Sequence, residues 1–144
     1  MRRRFRRLAA PELGAIAGRH HGSFPGPEAY DLACRSAMAA TGLPCWHGKR
    51  FDPPAAGAGE AHGVNLVRDG EATPLTARIA PSLIDGRPTL VCRYRPQETP
   101  PYRWVRDELR AWDESTLLGL AFLDLPVLRG VGFPFVLRRQ GGGS

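Results

Sequence analysis

The chain has 144 residues, 42% of them hydrophobic, and a formal net charge of +6. That length fits one domain with one core. No apolar run approaches the ~20 residues of a membrane-spanning helix; the longest, TLLGLAFLDLPVL, is broken by Asp124 and Pro126. Arg2, Arg3, Arg4, Arg6 and Arg7 carry most of the charge, and without these five the +6 falls to +1. The remaining arginines are scattered singly, so no basic stripe marks a nucleic-acid surface.

The opening MRRRFRR is basic like the start of a signal peptide, but LAAPELGAIAG holds Pro11 and Glu12 and makes a poor apolar core for one. The expectation is a cytoplasmic protein. Residues 1–10 read as a frayed basic arm, residues 11–140 as a single domain, and the GGGS of 141–144 as an appended linker. Cys34, Cys45 and Cys92 are odd in number and lack CxxC spacing, which fits a reducing compartment and three small buried apolar side chains.

PGPEAYDLACRSAMAATG reads as a helix. Tyr30, Ala33, Cys34, Ala37 and Met38 recur at helical spacing on one face, and Gly42 follows as a stop. RHHG, at residues 19–22, reads as a loop, and RFDPPAAGAGEAHG as a longer one. Short runs then alternate with turns: VNLVR, TPLTARIA, TLVCRYR, YRWVRDELRAW, TLLGLAFLDL and FPFVLRR, punctuated by Asp69-Gly70, by Asp85 to Pro88 and by Asp113 to Thr116. Such a series predicts an antiparallel sheet curled into a barrel or a sandwich. In TLVCRYR, Leu90, Cys92 and Tyr94 share a face. In YRWVRDELRAW, Tyr102, Trp104, Arg106, Glu108 and Arg110 share one face and Arg103, Val105, Asp107, Leu109 and Ala111 the other. Neither face of that run is cleanly apolar, so it either exposes a mixed surface or lines a partly polar cavity.

Four stretches together resemble the bacterial proteins that pair a GXWXG segment with the DUF4334 domain. ELGAIAG places Gly14 and Gly18 on the glycines of the first motif, with Ile16 in place of its tryptophan. WHGKRF matches W-x-G-K-x-F at Trp46, Gly48, Lys49 and Phe51. DELRAWDESTLLG is similar to D-x-F-R-x-x-D with a following leucine-glycine pair, at Asp107, Arg110, Asp113, Leu118 and Gly119, with Leu109 for the phenylalanine. FPFVLRR resembles the closing aromatic strand, and Arg95 stands where the family tends to place an aspartate. The resemblance implies a mostly β fold, a lipocalin-like or calycin-like antiparallel β-barrel with one N-terminal α-helix, and no settled activity.

Lys49 and Asp107 are opposite in charge and could pair inside such a barrel, as a buried charge requires. Lys49 is also a candidate to meet a ligand carboxylate or carbonyl. His47 is the candidate acid or base by residue type; on a regular strand it shares a face with Lys49, opposite Trp46 and Gly48. His20, His21, His47 and His62 lack carboxylate or cysteine partners at ligand spacing, so neither a metal nor any other cofactor is expected. The reading is a barrel enclosing an apolar or amphipathic small molecule such as a lipid, isoprenoid or polyketide. Its alternative is a cofactor-free cyclase or isomerase of secondary metabolism. Catalytic candidates are His47, Lys49 and Asp107; ligand-binding candidates are Trp46, Asn65, Tyr94, Trp104, Arg106, Arg110 and Phe122. A third reading makes the protein an interaction module whose basic arm meets an acidic partner, and a homodimer is compatible with all three.

Overall fold

The computed structural model describes residues 1–141; of the four residues read as a linker, all but Gly141 lie outside them. Eight strands form a closed antiparallel barrel in chain order: β1 (Gly18–Ser23), β2 (Gly48–Phe51), β3 (Ala61–Val67), β4 (Gly70–Pro81), β5 (Pro88–Tyr94), β6 (Val105–Asp113), β7 (Thr116–Leu123) and β8 (Phe133–Arg139). Each pairs with the next, and β8 returns to β1 through Gly22↔Leu137 and its neighbours. Two helices flank the barrel, α1 (Arg2–Arg7) and α2 (Glu28–Ala40).

The hairpins fall where the turn residues stand. Gly70 (φ +133°) opens β4 and Gly86 (φ +71°) turns β4 into β5, both in the left-handed region where glycine is unstrained. Between β6 and β7, the Asp113 carboxylate accepts the Ser115 N–H at 2.9 Å. The expected loop at RHHG is instead part of β1. Arg19, His20 and His21 carry little strand propensity, but the segment has a partner on each side, β2 and β8, and barrel closure overrides the local preference. The run expected to start at Tyr102 begins as a strand only at Val105, after a short 3₁₀ turn over Tyr102–Trp104.

Both faces of β6 are covered. Leu109 and Asp107 point into the barrel, with Val105 and Ala111 packed on the same core. Arg106, Glu108 and Arg110 point outward, beneath α1 and the β4–β5 turn. Arg110 is fully buried there. Its guanidinium grips the Asp85 carboxylate at 2.8 and 2.9 Å, donates to the Phe5 carbonyl at 3.1 Å, and lies 4.5 Å from the Phe5 ring centroid. That bidentate contact pulls the Asp85 carboxyl down to about 2. Glu108 accepts from the Ser82 hydroxyl at 2.5 Å, the Leu83 N–H at 2.8 Å and Arg106 at 3.0 Å.

The N-terminal arm is therefore not frayed. Phe5 is completely buried against Leu118, Leu120, Phe122 and Val136, a second apolar cluster on the outside of β7 and β8. The exposed arginines of α1 surround that one anchor, which is why composition alone suggested a loose segment.

The two ends of the barrel differ. At one end the short turn Leu13–Ile16 drops the buried Ile16 into the core with Phe51, Leu117 and Leu137. Strand direction places α2, the β5–β6 connection and the β7–β8 loop at the other end. Truncating the arm's anchor, Phe5→Ala, is expected to lower stability by about 3 kcal/mol. Urea denaturation checks this, and the far-UV spectrum should keep its strand signature.

Candidate functional site

A cavity of about 410 Å³ lies at the α2 end. Its walls are apolar: Met38 and Ala37 from α2, Trp46, Tyr102 from the β5–β6 connection, Phe135 from β8 and Phe24. No residue of α2 is buried; its small apolar face spans the space instead of filling it. Tyr30 Oη donates to the Pro134 carbonyl at 2.8 Å, Thr41 and Tyr102 share a hydroxyl hydrogen bond of 2.7 Å, and Arg35 donates to the Trp46 carbonyl at 3.2 Å. These three bonds hold the helix over the barrel. Ala33, Ala37 and Phe133 line the cavity and are also exposed, so it reaches the surface.

Local geometry at the start of β2 aims two side chains inward. Gly48 has φ +153°, and a Cβ there would lie 1.8 Å from the His20 carbonyl oxygen. The glycine lets β1 and β2 approach, and it interrupts strand alternation. Trp46 and Lys49 both reach the cavity, although regular alternation predicts opposite faces. His47 precedes the strand, sends Nε2 to the Val67 carbonyl at 3.2 Å, and does not line the cavity. The expectation that His47 and Lys49 share a face is corrected accordingly.

At the inner end of the cavity, Lys49 and Asp107 meet at 3.0 Å across the barrel, both almost wholly buried. The three protons of Lys49 have three acceptors: Tyr94 Oη at 2.7 Å, Asn65 Oδ1 at 2.9 Å and Asp107 Oδ2. Tyr94 in turn donates to Asp107 Oδ2 at 3.2 Å and accepts from Asn65 Nδ2 at 3.1 Å. Trp46 Nε1 completes the network on Asn65 Oδ1 at 3.0 Å. Burial alone would lower the Lys49 pKa, but the Asp107 carboxylate and the Tyr94 oxygen outweigh it and raise it, so the ammonium persists. Burial, reinforced by Asp107, raises the Tyr94 phenol, which stays protonated. Cys92, beneath the pair, is pushed up to about 12 by burial and is an inert thiol. Both contacts of the Asp107 carboxylate fall on Oδ2, no hydrogen bond reaches Oδ1 among the described residues, and Asp107 lines the cavity.

Five of the ten candidate residues thus form one network: Trp46, Lys49, Asn65, Tyr94 and Asp107. Phe122 touches the cavity, but its main packing is in the outer cluster. Trp104, Arg106 and Arg110 do not line it. Trp104 sits on the exposed 3₁₀ turn, 5.2 Å from the Arg103 guanidinium, and the two arginines lie on the outer face of β6 in ion pairs with Glu108 and Asp85. Tyr102 and Phe135 were missed as lining residues. Strand alternation places Tyr102 on the face of Trp104, but the chain makes a 3₁₀ turn there and Tyr102 enters the cavity.

The comparisons show the fold alone. The chain is similar to a crystal structure of a protein from Thermomonospora curvata, with a TM-score of 0.60 and 18% identity over 94% of this chain and 82% of that one. No family model matches the chain, and no curated protein does. Among the described residues no helix is long and apolar enough to cross a membrane.

Removing one partner of the central pair strands the other's charge. Lys49→Met is expected to destabilise the fold by about 3–5 kcal/mol, and Lys49→Met with Asp107→Leu to recover most of that loss, as read by chemical denaturation. A separate pH effect comes from His20, buried in the closed end. Its Nε2 donates to the Ile16 carbonyl at 2.8 Å, and its Nδ1 has no partner among the described residues. Burial lowers its pKa below 6.5, against the Ile16 hydrogen bond, with Arg139 adding to the decrease. Below about pH 6.5 the unfolded chain binds a proton that the fold refuses, so stability falls with pH until the folded-state pKa is passed. His20→Leu should flatten the stability curve between about pH 6.5 and 5, measured by denaturation at each pH.

Proposed function

We propose that the protein is a binding barrel for an amphipathic small molecule whose polar end is a hydrogen-bond donor, such as a long-chain or isoprenoid alcohol. The observation that carries this reading is the pairing of a roomy apolar cavity with an inner end that offers only an acceptor. The volume of about 410 Å³ lies in the range of small-ligand sites. Lys49 has spent its three protons within the protein, so it is not free to take a ligand carboxylate, and Asp107 Oδ1 remains. A hydroxyl head would satisfy that oxygen, whereas a carboxylate would bring like charge into a desolvated site. The resemblance to GXWXG and DUF4334 proteins belongs to the same reading: W-x-G-K-x-F supplies Trp46, the close-approach glycine and Lys49, and the second motif supplies Asp107.

One feature favours a second reading, a cofactor-free isomerase. A carboxylate oxygen bordering an apolar cavity is placed to move a proton from one carbon of a bound polyene to another, leaving Asp107 unchanged after the cycle. His47 lies outside the cavity and Lys49 is held as an ammonium, so Asp107 is the proton-handling residue in this reading.

Displacement of a fluorescent apolar probe separates the chemistries. 1-Dodecanol is expected to bind at least about tenfold more tightly than dodecanoate, and Ala37→Trp, which fills the cavity from the exposed side of α2, to abolish both without changing the melting temperature. Equal or tighter binding of dodecanoate would overturn the donor assignment. Binding of neither, with the probe also excluded, would overturn the binding reading.

A further inference from the structure

The β7–β8 loop, residues 124–132, keeps three of its apolar side chains outside. Val127 is 89% exposed and Val131 47%, and Leu128 and Phe133 are exposed beside them. Trp104 stands next to this loop, because its carbonyl accepts the Asp124 N–H at 2.7 Å, and it too is exposed. Single exposed apolar residues need no explanation, but five gathered on one end of a barrel do.

The N-terminus of α1 adds charge to the same place. α1 runs antiparallel to β7: its last residues lead to Ala9, which pairs with Ala111, and its first arginine, Arg2, donates to the Gly130 carbonyl at 2.8 Å. Arg2 and Arg3 are exposed and make no salt bridge among the described residues. Arg103, stacked beside Trp104, is likewise exposed and makes no salt bridge among the described residues. The acidic group of the loop, Asp124, is already neutralised by Arg93 at 2.7 Å and Arg129 at 2.6 Å.

We infer that this end of the barrel docks on an anionic lipid bilayer, with the β7–β8 loop inserted at the headgroup level and Arg2, Arg3 and Arg103 on the lipid phosphates. Unpaired arginines would suit any acidic partner, but arginines beside an exposed apolar loop match a surface with anionic headgroups above hydrocarbon. An apolar loop or a basic patch alone binds membranes weakly; together they supply the two signals that stable, reversible docking needs. Leu123 and Phe133, which bracket the loop, also line the cavity. Docking therefore sets the cavity mouth against the lipid, and the delivery this serves rests on the ligand-binding reading, while the docking itself does not.

Co-sedimentation with vesicles tests the inference independently of any cavity ligand. At about 0.1 M salt the full chain should bind vesicles of equal phosphatidylglycerol and phosphatidylcholine at least about tenfold more tightly than pure phosphatidylcholine, and lose most of that binding at about 1 M. Val127→Ser with Leu128→Ser and Val131→Ser should cut binding about tenfold while the melting temperature holds, because these side chains are solvent-facing. Arg2→Gln with Arg3→Gln should weaken binding to the anionic vesicles and leave the neutral ones unaffected. Brominated lipid tails should quench tryptophan fluorescence, and Trp104→Phe should remove the quenching. The inference is overturned if anionic vesicles are not bound, or if the triple serine variant binds them as well as the parent. Polyglutamate bound as tightly as the vesicles would assign the arginines to an acidic protein, and self-association lost in the triple variant without vesicle binding would assign the loop to a second copy; either result overturns it.

Discussion

The ion pair between Lys49 and Asp107 sets the plan of the interior. It joins β2 and β6, which are not neighbours in the barrel, so it bridges the lumen rather than a seam. Below it the barrel is filled with Phe51, Leu90, Leu109, Leu117 and Leu137; above it lies the cavity. Two charges removed from water are tolerable only with their remaining valences met. Tyr94 and Asn65 meet those of Lys49 and of Asp107 Oδ2, Trp46 in turn satisfies Asn65, and the other Asp107 oxygen is left on the cavity side. The polar network thus forms a fixed partition between a solid core and an open space, and the position of one lysine decides how deep that space is.

Parts of this were legible in the residues. The meander could be read because Asp-Gly and its relatives mark hairpins and because Leu90, Cys92 and Tyr94 alternate with outward neighbours. The Lys49–Asp107 pair could be anticipated because a buried charge needs a counter-charge. What escaped was wherever a local rule yielded to tertiary contact. β1 has almost no strand-forming side chains and is held by its neighbours. The inward turn of both Trp46 and Lys49 depends on the unusual backbone of Gly48, which no periodicity expresses. Arg106 and Arg110 looked like ligand anchors because charge on a strand suggests a polar lumen. Instead an arm that composition made appear loose folds over them and buries them with Asp85, Glu108 and Phe5.

α2 shows how little packing can hold an element when the hydrogen bonds are well placed. A helix that buried Leu or Phe side chains in the barrel end would fill the cavity; alanines at positions 33 and 37 leave room for it. The helix has high propensity from those same alanines, so it can keep its form with few neighbours. Three hydrogen bonds, from Tyr30, Arg35 and Thr41, fix its position. Opening the space requires breaking those bonds, not dismantling a core.

The return of β8 to β1 has a consequence for how the barrel is made. Every other strand pair is a hairpin or a connection between sequence neighbours, whereas the closing seam joins residues 20–23 to residues 136–139. During synthesis the chain can lay down seven strands in order, yet the final ladder must wait until β8 has left the ribosome. β1 stays one-sided over that interval, and its stretch of glycine, arginine and histidine is a poor template for another molecule's strand. The weak local signal that hid β1 from a reading of the sequence is thus a protective property of an edge that must remain unpaired until last.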